Sequence, residues 1–113
     1  MNRPTPDPYL AQCPSRKLID VIGNKWVLLV FPLLYKGPKR SSELLREIEG
    51  ISQKMLTQTL RLLEENGLVE RRDYHEVPPR VDYRLTELGK SLGVLIAEVD
   101  DWVVDNFYAT RGE

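Results

Sequence analysis

Apolar side chains recur at the three- and four-residue spacing of an α-helix in five separate stretches of the chain. The helices predicted from this spacing run from Pro14 to Gly23, from Trp26 to Tyr35, from Ser41 or Ser42 to Gly50, from Ser52 to Gly67, and from Thr86 to Phe107. Pro32 interrupts the second stretch, because its ring removes a backbone donor and clashes with the preceding turn. We therefore expect that helix to be kinked or to begin late.

A two-residue period replaces the helical spacing between the fourth and fifth stretches. In residues 81–85 apolar and polar side chains alternate, so this segment is predicted to be a strand with Asp82 and Arg84 on its solvent side. A second β segment is predicted from Leu68 to Tyr74, and the connection between the two contains adjacent prolines. The two segments together predict a β-hairpin.

The fold class that follows is mainly α with a small β-hairpin, in the order of a winged helix-turn-helix with extra terminal helices for dimerisation. The predicted organisation is a flexible arm over 1–12, one domain over 13–107 and a tail over 108–113. Within that domain the helix-turn-helix is expected at about 40–66, the wing at about 69–85 and the dimerisation helix at about 87–107. The length of 113 residues fits a single domain.

The fourth predicted helix carries hydrogen-bond donors on the side away from its leucines, with no acidic residue before Glu64. A recognition helix needs such donors for base edges and phosphates, whereas an ordinary solvated face usually mixes both charge signs. The absence of carboxylates therefore favours DNA binding. The residues predicted to contact DNA from the helix-turn-helix are Arg40, Ser52, Gln53, Lys54, Thr57, Gln58 and Arg61. Those predicted to do so from the wing are Arg71, Arg72 and Arg80.

The distribution of charge supports this interpretation more than the total does. The net charge of −1, from 16 basic and 17 acidic residues, argues weakly against nucleic acid when taken alone. However, residues 86–113 hold six acidic and two basic side chains, and residues 36–72 hold eight basic and six acidic ones. A basic face is therefore available if the acidic final segment points elsewhere. The alternative from another class is a winged helix that makes protein–protein contacts without binding an operator.

The last predicted helix has an apolar seam with steps of four, three, four and three residues, which is the spacing of a coiled coil. The seam is longer than a small domain can cover, so it is expected to be the surface of a homodimer. Its members are Leu88, Leu92, Leu95, Val99 and Trp102. Ile96, Val103 and Phe107 are expected to widen it.

The remaining composition excludes several kinds of site. One Cys and one His rule out an intrachain disulfide framework and a structural zinc site with the usual four ligands. No nucleophile, base and orienting group come together and no glycine-rich phosphate loop occurs, so neither an enzyme nor a metal or cofactor site is expected. His75 is expected to be an exposed turn residue. Because the longest apolar run is too short for a bilayer and the N-terminus lacks a signal peptide, we expect a cytoplasmic protein without a membrane partner.

Several short motifs in the chain are more specific than the helical and strand spacing of its apolar residues. Two are ISQKMLT at residues 51–57 and VPPRV at residues 77–81, and Gly37-Pro38 with Arg40 and Gly23 with Lys25-Trp26 add to them. In these motifs the chain resembles the HxlR family of bacterial transcriptional regulators, relatives of the MarR-type winged helices, over about residues 13–103. The resemblance implies a cytoplasmic, nucleoid-associated homodimer that binds double-stranded DNA, with the terminal helices as the dimer interface. The two-fold symmetry of such a dimer predicts a pseudo-palindromic operator.

Two positions depart from the family pattern, and a third is a candidate for regulation. Ser41 stands where the family usually has an aromatic residue, and Pro32 is also unusual, so local packing near the helix-turn-helix is expected to differ. Cys13 begins a helix beside Arg16 and Lys17, which favours the thiolate. Some family members sense oxidants or electrophiles with a Cys at the matching position. The alternatives are that Cys13 only packs the dimer interface, and that the signal is a small molecule.

Overall fold

The computed structural model describes residues 9–108, so most of the predicted arm and tail lie outside the described residues. The α-helices are α1 (Pro14–Ile22), α2 (Lys25–Lys36), α3 (Ser41–Glu47), α4 (Gln53–Glu65) and α5 (Glu87–Val103). The strands β1 (Val69–Asp73) and β2 (Val81–Leu85) lie between α4 and α5, and a π-helical turn, Val104–Tyr108, follows α5. This order confirms the predicted fold class. The helix expected to reach residue 107 is α-helical only to Val103.

The second helix begins earlier and continues further than expected. Asn24 caps α2, because its side-chain oxygen accepts from the backbone N–H groups of Trp26 at 2.9 Å and Val27 at 3.3 Å. The prediction of a late start was therefore wrong, and Pro32 lies inside the helix. The side of α2 opposite Pro32 is buried and consists of Val27, Val30, Phe31 and Leu34. The packing of this apolar stripe offsets the backbone hydrogen bond that Pro32 cannot donate.

The other helix starts show which local signals are reliable. Ser52 caps α4 and Thr86 caps α5, as predicted, through their hydroxyl oxygens. The cap of α3 is Arg40 rather than Ser41 or Ser42, because the Glu43 carboxylate accepts from the Arg40 backbone N–H at 3.0 Å. This bond satisfies a donor outside the helix and sets its first residue at Ser41.

The two strands pair antiparallel with Val69 opposite Leu85 and Asp73 opposite Val81. A contact that was not predicted extends this ladder. The backbone N–H of Lys39 donates to the Tyr83 carbonyl at 3.0 Å, and the Tyr83 N–H donates to the Lys39 carbonyl at 2.8 Å. The hairpin is thereby joined to the residue that precedes the cap of α3.

The core lies where α2, α3 and α4 meet, and its largest fully buried side chains are Phe31, Leu44, Leu56, Leu63, Val27 and Val30. The helix α5 docks against this core through a close backbone approach. A Cβ atom at Gly89 would collide with the carbonyl oxygen of Leu68, so only glycine fits there. In addition, the Thr86 hydroxyl donates to the Gly67 carbonyl at 2.6 Å. These contacts position α5 relative to the hairpin and α4.

Among residues 9–108 no single helix is long and apolar enough to cross a membrane. The helices α1 and α2 reach the length and apolar composition of a membrane span only if they are counted together, and the chain bends by 71° between them.

Candidate nucleic-acid interface

The helix-turn-helix consists of α3, the turn over residues 48–52 and α4. Gly50 allows the turn, because its φ of +90° is unfavourable for any residue with a side chain. Ile48 and Ile51 flank it and are both buried, so the turn is anchored to the core on either side. This anchoring sets the direction of α4 relative to α3.

The recognition face of α4 is defined here as Gln53, Lys54, Thr57, Gln58 and Arg61. All five side chains are exposed, while Leu56, Leu60 and Leu63 on the opposite side of the helix are buried. The structure therefore brings these predicted contacts together on one solvent-facing surface. Each of the five can donate a hydrogen bond, and none is acidic. Such a surface can bond to base edges and phosphates.

Two members of the recognition face are bonded to each other. The Gln53 side-chain amide donates to the Thr57 hydroxyl oxygen at 3.1 Å, across one turn of the helix. This bond orders both side chains before any ligand arrives. It also leaves the Gln53 carbonyl oxygen and the Thr57 hydroxyl hydrogen available for a second partner.

The predicted wing arginines do not form a single group. Successive residues of a strand point to opposite faces, so Arg71 and Arg72 of β1 lie on different sides of the hairpin. Arg72 is on the same face as Tyr74, and the guanidinium of Arg80 is also on the Tyr74 ring. The structure therefore brings Arg72 and Arg80 together and separates Arg71 from them.

Tyr74 is the centre of a cluster that the sequence reasoning missed, called here the wing cluster: Arg72, Tyr74, Arg80, Asp82 and Arg84. The guanidinium carbons of Arg80 and Arg72 lie 4.2 Å and 4.9 Å from the centroid of the Tyr74 ring, which is cation–π distance. The Tyr74 hydroxyl donates to Asp82 Oδ2 at 2.7 Å. Arg84 Nη2 donates to the Tyr74 hydroxyl oxygen at 3.1 Å.

Asp82 and Arg84 correct the sequence prediction for β2. Asp82 was expected on the solvent side, but it is only 5% exposed. Its carboxylate is covered by Tyr74 and lies 3.4 Å from Arg84 Nη2. Desolvation lowers the pKa of Arg84, and the hydrogen bond and charge of Asp82 raise it, with a net rise above its ordinary value. The signal that could have indicated this was the position of Asp82 between Arg80 and Arg84, each two residues away, which is the spacing of side chains on the same face of a strand.

Arg40 and Ser52 stand at the two helix starts of the helix-turn-helix. Both are exposed, and Arg40 directly follows the residue bridged to the wing. Lys39 Nζ lies 3.8 Å from Glu47 Oε2, so this cation is directed toward α3. The backbone pairing of Lys39 with Tyr83 therefore fixes the position of the wing relative to the start of α3.

Outside the wing and α4, the apolar seam of α5 is largely uncovered. Leu88, Leu95, Val99 and Trp102 are each 53% to 60% exposed, whereas Leu92 is half-buried. Ile96 was expected to widen the seam but is 3% exposed, because it faces the core on another side of α5. Leu18 and Ile22 of α1 continue the apolar surface and line a groove with Leu88, Leu92 and Leu95.

Two further candidates from the sequence, Cys13 and His75, belong to neither the recognition face nor the wing cluster. Cys13 is the half-buried N-cap of α1, and the neighbouring Arg16 donates from Nη1 to the Tyr9 carbonyl oxygen at 3.1 Å. His75 is exposed in the wing turn, as predicted, with its Nδ1 3.7 Å from Asp73 Oδ1. Within the described part of the chain no group of three or more His, Cys, Asp or Glu side chains is arranged to hold a metal ion.

Comparison with known proteins identifies the family of this structure. The family model described as an HxlR-like helix-turn-helix matches residues 21–111. The chain belongs to the HxlR-like helix-turn-helix family. It is a DNA-binding transcriptional regulator with a winged helix-turn-helix.

Individual relatives of this HxlR-like chain agree. It is 55% identical over 92 residues to the HTH-type transcriptional regulator YkvN of Bacillus subtilis (strain 168), covering 81% of this chain and 76% of YkvN. The structure of the transcriptional regulator ytfH from Salmonella typhimurium superimposes with a TM-score of 0.82 at 35% identity, covering 96% of this chain and 100% of that one. The oxidised form of the redox regulator HypR gives a TM-score of 0.77 at 42% identity, over 83% and 97% of the two chains.

Proposed function

We propose that this chain acts as a homodimer that places the recognition face of α4 in the major groove of a pseudo-palindromic operator. The observation that carries the proposal is the recognition face itself, with five exposed donor side chains and no carboxylate. Lys54 and Arg61 suit phosphates or guanine edges, and Gln53 and Gln58 suit adenine. The Ser52 cap places these side chains from the first turn of the helix onward.

The wing cluster supplies the second contact. The guanidinium groups of Arg72 and Arg80 both lie against the Tyr74 ring, so their charges are positioned before DNA binds. Ordering a long cationic side chain in advance reduces the entropy lost on binding. We assign these two arginines to the DNA backbone or minor groove beside the site occupied by α4. Arg71, on the other face of the hairpin, reaches DNA only if the duplex passes along that side.

The partner in the dimer is a second copy of this chain. The uncovered seam of α5 and the groove that it forms with α1 present aliphatic and aromatic side chains to solvent. A surface of this kind is characteristic of an interface, and two-fold pairing would space two copies of α4 at a fixed distance. That distance sets the half-site separation, about one helical turn of DNA or a multiple of it.

Control by a thiol is the second part of the proposal. Cys13 begins α1, which lines the groove with α5, and it is half-buried rather than exposed. The similarity to the redox regulator HypR favours such a role over simple packing. An adduct or an intersubunit disulfide at Cys13 would add bulk or a bond beside the dimer helices and change the spacing of the two recognition faces.

The deciding experiment selects bound duplexes from a randomised DNA library with the purified protein. We expect an enriched inverted repeat, and an affinity that falls steeply with salt because bound phosphates release counterions. A matched scrambled duplex serves as the control. If no sequence is enriched and the protein shows no salt-dependent binding to DNA, the proposal is wrong. The alternative of a winged helix that makes protein–protein contacts would then take its place.

A further inference from the structure

A cleft of about 590 Å³ lies between the end of α2, the end of β2 and the outer side of α5. Its walls are mostly apolar, and they carry two cations and one phenol. The lining residues are Leu34, Tyr35, Gly37, Pro38, Arg84, Leu85, Lys90 and Val94. The Tyr35 ring reaches the cleft because position 93 is glycine, and a Cβ atom there would collide with that ring. The volume is that of a site for a small organic molecule.

The two cations of the cleft are paired only with acidic residues outside its lining, Arg84 with Asp82 and Lys90 with Glu87. None of the residues that line it is acidic. Lys90 Nζ lies 3.4 Å from Glu87 Oε1, but the Glu87 side chain is 93% exposed, and such a surface pair holds a cation weakly. The cleft therefore favours an anion over a neutral or cationic molecule.

Arg84 provides a specific donor for that anion. Its Nη2 atom is engaged with the wing cluster, at 3.1 Å from the Tyr74 hydroxyl and 3.4 Å from Asp82 Oδ1. Its Nε atom is buried and has no hydrogen-bond acceptor among residues 9–108. A buried donor without a partner is unfavourable, so a movement of the Arg84 side chain that brings this atom to an acceptor on a ligand would be stabilising.

The cleft is separate from the surfaces already assigned. At 100° per residue, Lys90 lies about 160° from Leu88 around α5 and Val94 about 100° from Leu95, so both positions are off the seam. A second copy covering the seam therefore does not fill the cleft. None of the recognition-face residues lines it either.

We infer that this cleft binds an effector with one carboxylate on a compact apolar or aromatic body. The carboxylate accepts from Arg84 and Lys90, and the body packs against Leu34, Leu85 and Val94. Because the carboxylate competes with Asp82 for the Arg84 guanidinium, binding loosens the wing cluster that orders Arg72 and Arg80. The effector thereby weakens DNA binding, and this last step rests on the proposed function.

The direct test uses benzoate as the probe and follows backbone amide signals of the full chain by NMR. We expect saturable shifts at Gly37, Leu85, Lys90 and Val94. Benzamide, which lacks the charge, and acetate, which lacks the ring, should bind much more weakly at equal ionic strength. Equal responses to all three probes, or no saturable response to benzoate, would overturn the site without touching the proposal of DNA binding.

Variants then assign the site to its residues. Lys90→Gln should raise the dissociation constant for benzoate about tenfold through loss of one charge-assisted bond. Val94→Asp, at an exposed position that tolerates a polar group, should abolish binding by placing a like charge in the cleft. Lys36→Gln removes a nearby exposed charge from the end of α2 and should leave the constant unchanged. Unaltered binding in Lys90→Gln and Val94→Asp would place benzoate elsewhere.

A last arm tests the effector role. Benzoate should lower the affinity of wild-type protein for the selected operator about fivefold, within the usual range of allosteric coupling, and have no such effect on Val94→Asp. Benzoate binding without a change in operator affinity would overturn the effector role. Failure of the protein to bind any operator is a separate result, since the NMR titration reports on the cleft alone.

Discussion

The hydroxyl of Tyr74 donates a 2.7 Å hydrogen bond to Asp82, a carboxylate that is only 5% exposed. Arg80 and Arg72 lie against the Tyr74 ring, so one side chain joins the buried anion to two cations of the wing. The relationship makes the geometry of the wing dependent on Tyr74.

Tyr74→Phe removes the hydroxyl and keeps the ring. Asp82 then loses its short hydrogen bond while remaining buried, so we expect the free energy of unfolding to fall by about 1–2 kcal/mol in urea denaturation. Tyr35→Phe, which removes a hydroxyl from an exposed ring, should change it little. Equal effects of the two variants would show that the Tyr74–Asp82 bond does not stabilise the wing.

Leu95→Asp tests the dimer surface. Leu95 is 57% exposed on the seam, so the charge is tolerated in a monomer but would be buried without a partner in the proposed dimer. We expect sedimentation velocity to show a dimer for wild type and a monomer for Leu95→Asp. Val94→Asp introduces the same charge one residue away, off the seam, and should remain a dimer. A Leu95→Asp protein that still sedimented as a dimer would move the interface elsewhere.

Lys54→Ala and Arg61→Ala test the recognition face. Each substitution should weaken operator binding, measured by fluorescence anisotropy at moderate salt. A loss confined to one base position, by about 1–3 kcal/mol, identifies a base contact, and a uniform loss identifies a phosphate contact. Lys25→Ala removes a charge from the start of α2 and is the control. If neither variant changed the affinity, the recognition face would not contact DNA.

Arg80→Ala tests the wing. We expect lower affinity, little change in sequence preference, and a salt dependence that is flatter by about one ion-pair unit. Because the Arg80 guanidinium also covers the Tyr74 ring, Arg80→Lys is the informative companion. Lysine retains the charge and should restore most of the salt slope. An unchanged slope in Arg80→Ala would exclude this residue from the interface.

Cys13→Ser tests the thiol switch. Diamide or quinone treatment should reduce the operator affinity of wild-type protein and leave that of Cys13→Ser unaffected. The modified species, identified by mass spectrometry, should be an intersubunit disulfide, a mixed disulfide or an adduct, since each chain has one Cys. Wild-type protein that kept its affinity after complete modification, or a Cys13→Ser variant that responded equally, would assign Cys13 to packing.

Features that depend on neighbouring residues in the chain were predictable. The spacing of leucines in α4 predicted which side is buried, and with it the exposed recognition face. Ser52 and Thr86 were correctly predicted as caps because a cap requires only a hydroxyl two or three residues from the N–H it accepts. Cap prediction failed at Arg40, where Glu43 reaches back along the same turn instead.

Only the tertiary structure could show the features that join distant segments. Alternation in β2 predicted a solvent-facing Asp82, but Tyr74 and Arg84 bury it from across the hairpin. The helical spacing predicted that Ile96 would widen the seam of α5, but in the structure this residue packs against the core on another side of the helix. The Arg84 cleft likewise exists because Gly93 lets the Tyr35 ring approach α5. Periodicity determines which sides of an element are apolar, and the packing of other elements against those sides decides what each of them meets.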